Sequence, residues 1–195
     1  MAQQTKAIRS RRRGDEFEDA LYHAILAELT AVGYARLTMK GVAARARTGK
    51  AALYRRWPSK HDLVRAALRY ASPPLPELRA DKSARENLLT VLTSHRDLLA
   101  GKTAFPSLAI VGELFHEPEL RAIWADAVLT PRLQLIETIL RTAVGNGEID
   151  PETLTPFTCR VGPALINQYM QLTGAPPTGR HLAVIVDTVI PPLTR

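Results

Sequence analysis

Between Thr38 and Asp62 the chain reads TMKGVAARARTGKAALYRRWPSKHD, and this stretch has little choice of structure. Its apolar residues recur three and four apart. Gly49 interrupts the pattern, Pro58 stops it and Ser59 restarts it. Thr38 is expected to cap a short helix whose inner face is Met39, Val42, Ala43 and Ala46, residues small enough to let another helix approach. Arg47-Thr48-Gly49 reads as a turn. The next helix, from Lys50 to Trp57, sets Leu53 and Trp57 on one face and Lys50 and Tyr54 on a neighbouring one. Ser59 and Asp62 have capping-box spacing for a further helix carrying Leu63, Ala66, Ala67 and Tyr70.

The flanks extend a helical pattern. Asp15 is expected to cap a helix through Phe17, Leu21, Ala24, Ile25 and Leu29 that stops at Gly33. Residues 1–14, with Arg9, Arg11, Arg12 and Arg13, read as a disordered basic arm. Ser72-Pro73-Pro74-Leu75-Pro76 cannot continue a helix and marks a boundary between a domain at 15–71 and another at 72–195. Beyond it the pattern predicts helices over 81–100 and 106–115. A long one follows from Pro118 to Gly145, kinked at Pro131. Another runs to Gly174 with Pro163 inside it, and a last one spans Thr178 to Ile190. No stretch alternates as a strand would. The expected fold is all-α.

Charge follows the same boundary. Residues 1–70 carry 15 Lys+Arg against 6 Asp+Glu, and residues 71–195 carry 11 against 13. A basic first third joined to a near-neutral remainder fits a nucleic-acid module attached to a partner domain. The single cysteine, Cys159, permits no internal disulfide. The N-terminus lacks the apolar run of a signal peptide, and no segment is apolar over a membrane's width, so a cytoplasmic protein is expected.

The run KAALYRRWPSKHDL at Lys50–Leu63 resembles the signature of the TetR/AcrR family of bacterial transcriptional regulators. The matching residues are Leu53, Tyr54, Arg55, Arg56, Trp57, Pro58, Ser59, Lys60, Asp62 and Leu63, and the resemblance extends over about residues 15–68. It implies about nine helices: a three-helix DNA-binding domain, a larger ligand-binding domain and a homodimer formed by the last two long helical regions. It also implies a repressor released from its operator by a small molecule. The chain departs from the family pattern at Arg47, where a turn glycine is usual, at Gly49, where serine is frequent, and at Ala51-Ala52, where Gly-Thr is common.

A helix that reads a major groove needs small or polar residues at its leading end and long donors around them. Thr48, Gly49, Lys50 and Ala51 fit: Lys50 can donate to a guanine edge and Ala51 can touch a thymine methyl. Arg47 can reach a base or a phosphate. Tyr54 and Arg55 present donors at backbone height, and Lys60 with the first turn of its helix forms a phosphate clamp, as Thr38 does for its own helix. Trp57 reads as core rather than contact.

In the second half, Leu92, His95, Leu99, Leu108, Val111, Phe115, Trp124, Phe157 and Arg160 are the candidates to line an effector cavity, although each alone also reads as ordinary core or surface. The apolar final helix, LAVIVDTVI, suggests burial on two sides and hence a second copy, with Gly162 and Ala164 allowing close helix approach. Nothing calls for a catalytic site, a metal or a cofactor. His116-Glu117 is not followed by the spacing of a zinc protease, and Gly101-Lys102-Thr103 lacks the first glycine of a phosphate loop. The rival readings are a non-specific basic nucleic-acid-binding protein and an all-helical enzyme.

Overall fold

The computed structural model describes the backbone of residues 2–102 and 107–189 and side chains over 16–102, 110–152 and 154–189. Among these residues the chain is helical, without a strand. It divides into two compact units. One comprises Met1–Ala71 with Ala109–Trp124, and the other comprises Ser72–Leu108 with Ala125–Arg195.

In the first unit, α1 (Ala2–Arg36) packs on α2 (Met39–Arg45) and α4 (Lys60–Ala71), α2 packs on α3 (Lys50–Arg56), and α4 packs on α7 (Pro118–Trp124). The helix runs back to Ala2, so Asp15 lies within it and does not cap it. Alanine, glutamine, lysine and arginine there are good helix formers, and no proline breaks them. At its other end α1 is interrupted at Gly33, whose φ of 76° and ψ of 165° suit glycine alone. The short α6 (Ser107–Glu113) lies between the units in sequence. Leu21, Ile25, Leu29, Val42, Leu53, Leu63 and Leu68 form the core with the fully buried Tyr34. Trp57 is buried as expected, edge-on to Tyr22, which in turn stacks on Tyr70.

In the second unit, α5 (Ala84–Leu99) packs against α8 (Thr130–Gly145), α9 (Thr158–Thr173) and α10 (Gly179–Val189). Ser83 and Glu86 form a reciprocal capping box at the start of α5 that the periodicity alone did not indicate. Asn87 donates to the Arg79 carbonyl and accepts from its N–H, tying down the irregular chain after Pro76. Pro131 was expected to kink a long helix. A π-helical turn, Ala125–Leu129, directly precedes α8, so the long helix is divided ahead of the proline, which has no N–H to donate. Gly162 lies close against Leu92: a Cβ there would be 2.9 Å from both of its terminal methyls, so Leu92 would have to shift. Its small size serves the α5–α9 contact within the chain rather than an outside partner. Ile190, the expected end of the last helix, lies outside the described residues.

Candidate nucleic-acid interface

The geometry begins at two caps. Thr38 Oγ1 accepts from the Gly41 N–H at 3.0 Å, which starts α2 and leaves the hydroxyl proton to donate elsewhere. Ser59 Oγ accepts from the Asp62 N–H at 3.1 Å and donates to its carboxylate at 2.6 Å, which starts α4. Between them, α2 closes by a Schellman motif. The Arg47 N–H donates to Ala44 O at 3.2 Å and the Thr48 N–H to Ala43 O at 3.0 Å. This motif forces the residue after the cap into the left-handed region, and Arg47 sits there with φ 50°. The chain therefore carries about 1 kcal/mol of strain at the residue where the family resemblance implied a turn glycine.

Beyond the turn, Gly49 has ordinary extended angles, and a Cβ added there would meet nothing within 4 Å, so its role is that of an unassisted N-cap. Lys50, Ala51, Tyr54 and Arg55 are exposed along α3, while Leu53 is wholly buried behind them. Thr38, Arg47 and Gly49 are exposed and Thr48 is half-buried. Lys50 Nζ lies 5.5 Å from the Tyr54 ring centroid, a cation–π arrangement that props the long side chain up. Arg56 is engaged elsewhere, 3.8 Å from Glu18 and over the Phe17 ring.

Lys60 has a partner that the sequence did not indicate. Its ammonium donates to Tyr34 O at 3.1 Å and sits 4.1 Å above the Tyr34 ring. Tyr34 in turn donates its N–H to Glu113 Oε2 and its O–H to Glu119 Oε2, both at 2.7 Å. Burial, reinforced by the Glu119 carboxylate, pushes the phenol well above its ordinary value. Lys60 thus fixes the end of α1 with one proton and retains two others.

The expected cavity residues divide between the two units. Val111 and Trp124 are buried in the first unit and Phe115 is exposed there. Leu92, His95 and Leu99 are buried in the second, where Phe157 and Arg160 are exposed. Phe115 sits in the turn after α6 and Phe157 at the N-cap of α9, where both are exposed. The Leu108 side chain lies outside the described residues. Sequence reading missed Arg132 and Asn167. Arg132 lies one turn from Val128 and one turn from Ile136, so a charge on an apolar face was the available signal.

Two family descriptions match this chain: bacterial regulatory proteins of the tetR family, over residues 21–67, and the tetracyclin repressor-like C-terminal domain, over residues 79–189. The chain belongs to the tetR family. An HTH-type transcriptional regulator of Mycobacterium tuberculosis is 35% identical over 170 residues, covering 84% of this chain and 81% of that protein. The DNA-binding transcriptional repressor TetR of Mycobacteroides abscessus is 28% identical over 189 residues, covering 94% and 96%. Among solved structures, a TetR family transcriptional regulator from Pseudomonas syringae pv. tomato superposes with a TM-score of 0.63 at 25% identity, covering 88% and 91%. FadR from Bacillus subtilis, in complex with stearoyl-CoA, shares the fold with a TM-score of 0.66 at 19% identity, covering 88% and 95%. As a tetR-family member the chain is a DNA-binding helix-turn-helix transcriptional regulator. Among the described residues, no helix is long and apolar enough to cross a membrane.

Proposed function

We propose that the protein is a dimeric cytoplasmic repressor that reads an operator with α3 and leaves it when a small molecule binds the second unit. The observation that carries the reading is the one-sided α3. Lys50, Ala51, Tyr54 and Arg55 are exposed while Leu53 and Trp57 anchor the helix in the core. In this reading Lys50 and Ala51 meet base edges. Arg47, Thr48 and Gly49 bring the helix tip to the groove. Thr38, Tyr54, Arg55 and Lys60 meet phosphates.

Repression is supported by the named repressor of Mycobacteroides abscessus and ligand response by the acyl-CoA-bound FadR neighbour. Dimerisation through α9 and α10 is supported by an apolar groove of about 320 Å³ that includes Leu165, Tyr169, Leu172, Val184 and Ile185. Leu172 is 79% exposed there and Val184 60% exposed.

Selection of duplex DNA from a random pool, followed by salt titration, tests the reading. A roughly palindromic site with half-sites about one turn apart or a little more is expected. Salt-sensitive binding without sequence preference would favour a general nucleic-acid-binding protein, and a failure to bind duplex would reopen the search for an enzyme.

A further inference from the structure

The interior of the second unit holds a cation for which no carboxylate partner is recorded among the described residues. Arg132 on α8 is 2% exposed. It shares the helix face of Val128, Ile136 and Ile139, so the fold carries its guanidinium inward. Nη1 donates to Val128 O at 2.8 Å, one turn back. Nε and Nη2 have no hydrogen-bond partner among the described residues. Burial alone acts on the group, pushing its pKa below the ordinary arginine value.

The two unpaired atoms belong together. Nε–H and one Nη2–H point in parallel from a single edge of the planar group, and that edge matches the two oxygens of a carboxylate. Two arginines of this chain set the same edge against both oxygens of a surface carboxylate. Arg85 holds Asp187 through Nε at 2.6 Å and Nη2 at 3.0 Å, and Arg79 holds Asp81 through Nε at 3.0 Å and Nη2 at 2.7 Å. In Arg132 that edge is buried and has no hydrogen-bond partner among the described residues.

His95 on α5 adds to the pattern. It is fully buried, with Nε2 3.3 Å from Asn167 Oδ1 and Nδ1 without a partner among the described residues. An Nε2–H donating to Asn167 leaves Nδ1 as an acceptor. Burial first, and then the nearby charge of Arg132, push the imidazole down to about 4, so at neutral pH it contributes no charge. Val91, Leu92, Leu98 and Leu99, within a turn of His95 on the same helix, are apolar and buried. One cation, one neutral acceptor and buried apolar neighbours along α5 suit a monoanion with an apolar body better than a phosphate dianion.

We infer that Arg132 and His95 form an internal site for a small organic acid. The ligand's carboxylate pairs with the Nε–Nη2 edge of Arg132, and His95 Nδ1 accepts from a hydroxyl or N–H group on the same molecule. The inference rests on the proposed effector role of this unit and supplies its ligand class.

Calorimetry on the full chain at neutral pH tests it with acetate, octanoate, decanoate and phenylacetate, each beside its primary amide. At least one acid is expected to bind about tenfold or more tighter than its amide, and to shift the Arg132 Nε–H resonance in side-chain NMR. In Arg132→Met the preference disappears, and the unliganded variant melts above the wild type because a buried unpaired charge is gone. Should the Met variant not fold, Arg132→Lys supplies the resonance assignment and the wild-type acid-to-amide ratio decides. The site is overturned if no acid outbinds its amide, or if the preference survives in Arg132→Met. An acid that binds through Arg132 but leaves operator affinity unchanged upholds the site and overturns the effector role. Release by an acid and its amide alike, unaltered in Arg132→Met, does the reverse.

Discussion

Two buried polar clusters, one in each compact unit, stand at opposite stages of completion. Tyr34 in the first has its N–H, its hydroxyl and its carbonyl all engaged, by Glu113, Glu119 and Lys60 respectively. Arg132 and His95 in the second leave three polar atoms unpaired among the described residues. A completed cluster stabilises the fold, because each desolvated group recovers its hydrogen bond. An incomplete one costs stability unless something else supplies the bonds. The first cluster therefore secures the base of the reading head, and the second is the natural place for a guest.

The comparison breaks most readily at Tyr34. Tyr34→Ala removes the best-buried aromatic of its unit and is expected to cost about 3–5 kcal/mol in urea unfolding, whereas Tyr34→Phe, which loses only the bond to Glu119, costs about 1 kcal/mol. A phenylalanine variant as stable as wild type would show that the completed cluster contributes no stability.

Acid sharpens the other side. The folded value of His95, about 4, lies below its unfolded value of about 6.5, so protonation favours the unfolded chain. The stability contributed by the neutral imidazole is present above pH ~6.5 and is lost as pH falls toward ~4, on the order of 3 kcal/mol in all. His95→Gln should flatten the fall of unfolding free energy across that window. A profile parallel to the wild type would remove His95 from the cluster.

Smaller effects test the reading head. Arg47→Gly relieves the left-handed strain and should raise stability by about 1 kcal/mol, measured by thermal melting. No gain would mean that the guanidinium compensates locally for the strain. Lys60→Ala should weaken operator and random DNA alike and reduce the salt slope of binding by about 0.9. An unchanged slope would leave Lys60 with its Tyr34 contact alone.

The contrast also explains what could be read from the sequence. The helix-turn-helix was legible because its determinants are local: Thr38 caps Gly41, Ser59 caps Asp62, and Arg47 occupies the position a turn glycine would fill. The partners of Tyr34 lie 79 and 85 residues away along the chain, beyond any periodicity. Seven of the nine cavity candidates were apolar residues on or beside helices, a signal that finds core, and His95 and Arg160 were added as polar groups, of which His95 is buried and Arg160 exposed. The informative residue was the opposite kind, Arg132, a charge at an apolar position. Gly162 was read for close approach, and only the packing shows that Leu92 is what approaches it. Asp15 was read as a cap from its spacing to Glu18, although the helix-forming residues before it let α1 begin at Ala2.

The central claim, that α3 reads base sequence, is tested most directly by Lys50→Ala. Its affinity should be measured on the selected operator and on a scrambled duplex at one salt concentration. The account predicts a loss of about 1–3 kcal/mol on the operator with little change on the scrambled duplex. Equal losses on both would make Lys50 a backbone contact and contradict the assignment of α3 as the reading helix.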